Sequence, residues 1–100
     1  MDPQTASTEA GLGAGEAVLV RYWAAARAAV GLVEERIPTA GPVSAAGLRG
    51  LVGDRHPEAA RVLAICSLLV DDQPLGVADA SAFLIEPGQT VEFLPPSAGG

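Results

Sequence analysis

Two adjacent prolines, Pro95 and Pro96, set the firmest limit on how this 100-residue chain folds. Proline has no backbone N–H to give a sheet ladder, so strand pairing has to end by Leu94. Just before them, Val91-Glu92-Phe93 alternates apolar and charged, as a half-buried strand does. After them come only Ser97, Ala98, Gly99 and Gly100, where the sequence stops. A strand is therefore expected to run straight into a slim tail, which two prolines bias toward polyproline II and away from the globule. Six or seven extended residues reach about 20–25 Å. With no side chain beyond Ala98, such a tail is expected to thread a narrow channel and present its carboxylate as a reactant. A free carboxylate is a poor electrophile and needs activation, for example as an acyl-adenylate formed from ATP. The activated acyl group then accepts sulfur to become a thiocarboxylate, or passes to another nucleophile. The plain alternative is a frayed terminus rich in Gly and Pro.

The run Val91-Glu92-Phe93-Leu94-Pro95-Pro96-Ser97-Ala98-Gly99-Gly100 resembles the C-terminal signature of the ubiquitin-like sulfur carriers. Within that family it is most similar to the branch of the small subunit of molybdopterin synthase. The thiazole-synthesis carriers usually lack the Pro-Pro pair. The resemblance implies an α+β fold of the β-grasp type, a mixed sheet with one main helix across one face. It implies that Gly100 is adenylated by an E1-like adenylyltransferase and sulfurtransferase that uses ATP, and becomes a thiocarboxylate. The large subunit of molybdopterin synthase would receive the tail, and sulfur would pass to a cyclic pyranopterin precursor. Carried onto this sequence, Gly99 keeps the tail slim and Pro95 and Pro96 aim it. Ser97 and Ala98 lie within it, and Phe93, Leu94 and Trp23 contribute to docking. No cofactor or metal is expected on the chain, and no catalytic side chain, so it is not expected to be an enzyme by itself. Two other functions fit the same residues: a sulfur carrier for thiamin thiazole or cysteine synthesis, and a β-grasp interaction module that is never activated.

The composition agrees with a small single domain, since 49% hydrophobic residues in 100 can bury one core. No apolar run approaches the ~18 residues of a membrane span. The first residues, Met1-Asp2-Pro3-Gln4-Thr5, are not those of a secretory signal, and a cytoplasmic location is expected. A net charge of −6 argues against nucleic acid and suits a partner with a basic docking surface. All six cations are arginines (Arg21, Arg27, Arg36, Arg49, Arg55, Arg61), so isopeptide conjugation onto a side-chain amine of this chain is unavailable. Cys66 is the sole cysteine, which excludes an internal disulfide or a cysteine-ligated cluster.

Residues 1–16 carry almost no large apolar side chain and read as a disordered leader, followed by a domain over 17–94 and a tail over 95–100. Gly11-Leu12-Gly13-Ala14-Gly15 follows no strand and is not a nucleotide loop. Residues 17–23 alternate as a strand with Val18, Val20 and Tyr22 toward the core. Leu19 and Trp23 fall on the other side, where they form an exposed apolar patch or, for Trp23, pack under the next loop. Residues 24–30 favour a short helix closed by Gly31. Residues 32–37 alternate again and stop at Pro38. Ser44 is placed to cap a main helix with Val43 packed back on it, and Leu48, Leu51 and Val52 share one buried face. A break over 54–57 and a short helix over 58–63 follow, with His56 as a solvated loop residue. Residues 65–70 form a strand with Cys66 as a small buried hydrophobe inside it. Asp71 and Asp72 belong to a hairpin tip, and 75–77 to an edge strand. Residues 78–85 are expected to be irregular. Pro87-Gly88 predicts a type II turn into the last strand, 89–94, where the family often carries Asp-Gly-Asp. The first and last strands are expected to pair in parallel at the centre of the sheet.

Overall fold

The computed structural model describes residues 16–75 and 82–96. The leader expected over residues 1–16 falls almost wholly outside the described residues, as do Ser97, Ala98, Gly99 and Gly100.

The alternation in the first segment produces β1 (Ala17–Tyr22), in which Val18, Val20 and Tyr22 are fully buried. The chain then reverses through Ala24, whose φ of +48° lies in the left-handed region, into α1 (Ala24–Val30). That helix ends at Gly31 with φ +85°, a conformation a residue without Cβ adopts at little cost. β2 (Glu34–Pro38) runs back antiparallel to β1. It starts two residues later than expected, since Leu32 and Val33 stand exposed in the turn that precedes it.

β3 (Val43–Ser44) leads into α2 (Ala45–Arg55), and the Ser44 side chain accepts a hydrogen bond from the Gly47 N–H at 2.9 Å, the expected cap. The buried face of α2 is Ala45, Leu48 and Val52, whereas Leu51, expected on it, is 41% exposed. Ala45, Leu48 and Val52 fall at i, i+3 and i+7 and make one buried stripe, which leaves Leu51 off to its side. The expected helix over 58–63 is present, as a single 3-10 turn (Pro57–Ala59) that runs directly into α3 (Ala60–Ala64). Ile65 then caps α3 in the open at 62% exposure, so the next strand begins only at Ser67. Cys66 is buried as expected, but just ahead of that strand rather than inside it.

β4 (Ser67–Val70) turns through Asp71 and Asp72, both at positive φ, into β5 (Gln73–Pro74). The edge strand expected over 75–77 lies mostly outside the described residues; Pro74 of β5 occupies the sheet margin, where a missing N–H does no harm. Within the stretch expected to be irregular, β6 (Leu84–Ile85) pairs with β3 in a second, two-stranded sheet. Its two residues are too few for alternation to show in sequence. Pro87 and Gly88 form the expected turn, with Gly88 at φ +96°, and β7 (Thr90–Leu94) closes the main sheet.

The strand order is β2-β1-β7-β4-β5, with β1 and β7 parallel at its middle and the other neighbours antiparallel. Val91, Phe93, Leu68 and Val70 join Val18, Val20 and Tyr22 on the covered face, against Ala26, Leu48, Val52 and Leu63 from the helices. No neighbouring atom lies within 4 Å of where a Gly88 Cβ would stand, so a substitution there meets backbone strain and no clash. Gly88→Ala is expected to lower stability by about 1 kcal/mol and the thermal midpoint by roughly 4–8 °C. An unchanged midpoint would contradict the left-handed turn.

Candidate functional site

The site is built at the end of the sheet where β1 and β7 stop and β4 starts. β7 is paired on both sides up to that end: Phe93 lies opposite Tyr22 of β1, and Leu94 lies opposite Ser67 of β4. Leu94 and Pro95 are half-buried there and Pro96 is exposed, so the chain leaves the domain from the central strand.

Trp23 closes this end. Its backbone N–H donates to the Phe93 carbonyl at 3.2 Å, continuing the parallel ladder one step past β1. Its indole Nε1–H donates to Glu92 Oε1 at 2.8 Å. The Arg21 and Arg27 guanidinium carbons stand 5.3 and 5.2 Å from the indole centroid, both within cation–π range. Arg27 Nε–H also donates to the Tyr22 carbonyl at 3.2 Å, occupying an acceptor left open where β1 ends. Arg21 Nε sits 3.3 Å from Glu34 Oε1, an ion pair that lacks the alignment of a hydrogen bond. The two pictures offered for Trp23, an exposed patch or cover from the next loop, both give way to a half-buried indole pinned to the last strand. Glu92 and the arginine pair escaped the sequence reading. Their signal was there, because Arg21 and Trp23 are two apart and share a strand face.

Phe93, expected to contribute to docking, is a core residue with 0% exposure. Its ring packs at 5.9 Å from that of Tyr22, and the Arg49 guanidinium stands 5.9 Å from it. The reason is parity: Phe93 shares its face with Val91 and its opposite with Glu92 and Leu94. Arg49 is held in place by donating to the Leu63 and Cys66 carbonyls at 2.7 and 3.0 Å, so it ties α2 to the end of α3.

His56 is likewise not a solvated loop residue, since its side chain is 15% exposed. Its Nε2 lies 2.5 Å from Glu35 Oε2, and its ring meets Tyr22 edge-on at 6.1 Å. The same carboxylate oxygen accepts from the Tyr22 hydroxyl at 2.5 Å, and Arg55 stands 3.4 Å from the other oxygen. Burial alone raises the Glu35 carboxyl, but the hydrogen bonds from Tyr22 and His56 and the charge of Arg55 outweigh it and hold the group below its usual range. For Tyr22, burial and the bond to Glu35 push the phenol far above its ordinary value. A folded carboxyl held low contributes stability that is complete above its unfolded value and fades as the pH falls through its folded one. Glu35→Gln should therefore flatten the loss of thermal midpoint as the pH falls below the ordinary carboxylate range. Identical acid profiles for the two chains would contradict the assignment.

Cys66 is buried with its thiol directed at the Val62 carbonyl, 3.2 Å away; burial raises its pKa and the nearby Arg49 offsets part of that. At the hairpin tip, Asp71 accepts from the Thr90 N–H and the Gln89 amide, both at 2.9 Å, which holds its carboxyl low and fastens the β4–β5 turn to the start of β7. The pair Asp71 and Asp72 is thus a structural tip, and no cluster of three metal-ligating side chains occurs among the described residues. None of the helices among those residues is long and apolar enough to cross a membrane.

A mixed sheet with parallel first and last strands at its centre, crossed on one face by helices, is the β-grasp fold of ubiquitin-like proteins. Solved structures of that fold resemble this chain over most of its length. The HVO 2177 protein of Haloferax volcanii aligns over 84% of this chain and 86% of its own, with a TM-score of 0.71 and 19% identity. The small archaeal modifier protein 1 of the same organism aligns over 84% and 99%, with a TM-score of 0.66 and 17% identity. In the complex of subunits 1 and 2 of the molybdopterin-converting factor of Helicobacter pylori, one chain aligns over 84% and 99%, with a TM-score of 0.59 and 18% identity. No protein-family model matches the chain, and no curated protein sequence does.

Proposed function

We propose that this chain is a ubiquitin-like sulfur carrier that acts as the small subunit of a molybdopterin synthase. Gly100 is the reacting residue. An E1-like enzyme joins its carboxylate to the α-phosphate of ATP with release of pyrophosphate, and sulfide-level sulfur then attacks the acyl carbon and displaces AMP to leave a thiocarboxylate. The large synthase subunit takes in the tail and the sulfur passes to a pterin precursor. The chain supplies placement and no catalytic side chain.

One observation carries this reading: β7, paired with β1 through Phe93 and with β4 through Leu94, is followed directly in sequence by Pro95-Pro96-Ser97-Ala98-Gly99-Gly100. The paired strand fixes where the tail begins, and six residues then place its carboxylate up to about 20 Å away. Trp23, Leu94, Pro95 and Pro96 lie at that starting point and are the docking residues, with Phe93 anchored in the core between them. The likeness to a chain of the molybdopterin-converting factor complex supports the choice of acceptor and of a large-subunit partner. The likeness to a small archaeal modifier favours a second reading, in which the same activated end is delivered to another acceptor.

The test is the intact mass of the chain purified from its own host, read with and without the activating enzyme and ATP. A shift equal to one oxygen replaced by sulfur at Gly100 is the expected result. A terminus that stays a carboxylate under all conditions would leave the unactivated interaction module. Assay of the thiolated chain with the large synthase subunit then separates the two acceptors.

A further inference from the structure

An activated acyl group at Gly100 is open to attack by any nucleophile nearby, including those of its own chain and of its copies. An amine that attacks the acyl-adenylate forms a C–N bond, breaks the bond from carbonyl carbon to phosphate oxygen, releases AMP and gives a proton to solvent. Hydrosulfide attacking the same carbon forms a C–S bond and releases the same AMP. Which product accumulates depends on which nucleophiles are within reach.

The sequence contains no lysine, so no side-chain amine exists on the chain. The other reactive side chains are one cysteine, one histidine and one tyrosine, and all three are described. Cys66 is 4% exposed and its thiol faces the Val62 carbonyl. Tyr22 is 0% exposed with its hydroxyl donated to Glu35. His56 has Nε2 engaged by the same Glu35 carboxylate and its ring against Tyr22. What remains is guanidinium, which stays protonated, and neutral hydroxyls and carboxylates, which need a base or are weak toward acyl groups. The Glu35 network and the buried thiol have no part in the proposed reaction, and both take a nucleophile out of reach.

We infer that the side chains of this carrier are inert toward its own activated terminus, so that none of them takes up the acyl group and covalent chains of the carrier do not grow through its side chains. The inference rests on the reading of Gly100 as an activated end, but its test does not need the activating enzyme. The full chain, N-acetylated to remove its α-amine, is prepared with a chemically made thioester at Gly100 and held at mildly alkaline pH. Added hydroxylamine captures the acyl group and shows that it is reactive. Without hydroxylamine, the expected result is hydrolysis to monomer, with no covalent dimer on a denaturing gel and no acylated side chain in peptide mapping. Arg36→Lys and Arg61→Lys, both at exposed positions, should each raise covalent dimer about tenfold or more above that background. Acylation of Cys66, Tyr22 or His56 in the unaltered chain, or lysine variants that link no more than it does, would overturn the inference. Absence of a natural thiocarboxylate would instead count against the proposed function, so the two fail separately.

Discussion

Adding a single alanine after Gly100 is expected to abolish thiocarboxylate formation while leaving the melting curve unchanged. The reacting carboxylate moves about 3.5 Å beyond its former position. A misplacement of even 1 Å at a reacting centre costs on the order of a hundredfold in rate. The tail cannot absorb the extra length by sliding back, because β7 is paired with β1 as far as Phe93 and with β4 as far as Leu94, and Trp23 is bonded to Phe93 and Glu92. Gly99→Val should fail for another reason, since a β-branched side chain stiffens the tail and widens what has to pass through a narrow channel. The measurement is ATP-dependent adenylation by the host's activating enzyme, followed by the mass of the product. An alanine-extended chain that thiolates at the normal rate without being trimmed would sink the carrier reading.

Phe93→Ala is expected to cost about 3–5 kcal/mol, a large part of what holds a domain of this size together. The ring fills the space between Tyr22 and the Arg49 guanidinium, has no solvent contact, and is opposite Leu68 in the next strand. Leu94→Ala, one residue on, removes a half-buried side chain and should change stability by less than about 1 kcal/mol while weakening binding to the activating enzyme. Chemical denaturation of the two variants, with binding measured alongside, separates a core residue from a docking residue. A Phe93→Ala chain as stable as the parent would return Phe93 to the surface.

Alternation made the strands legible: Val18, Val20 and Tyr22 against Leu19 and Arg21 gave β1 its buried side, and Pro87-Gly88 gave the entry to β7. The parallel pairing of these two strands followed from the resemblance of the tail and is present in the fold. Phe93 was misjudged because its closeness to the tail outweighed its parity with Val91. Leu51 was misjudged because a helical period of apolar residues does not say where the buried stripe is centred, and here it runs through Ala45, Leu48 and Val52. His56 had no partner in the sequence around it; its partner, Glu35, lies 21 residues away and is brought beside it by the fold. Leu84 and Ile85 form a strand only because Val43 and Ser44 are there to pair with them. Such pairings arise from tertiary contact, and nothing local announces them.

The central position of β7 also decides how the domain bears load. A partner that grips the tail and draws on it pulls along the strand axis, across hydrogen bonds that run sideways to β1 and β4. Both ladders then have to slip together, whereas a strand at the margin such as β5 would unzip one bond at a time. Tension applied through the tail in a single-molecule experiment should thus meet a far higher rupture force than tension applied through β5. Under the proposed function, such a domain is handed from one enzyme to the next by its end without coming undone.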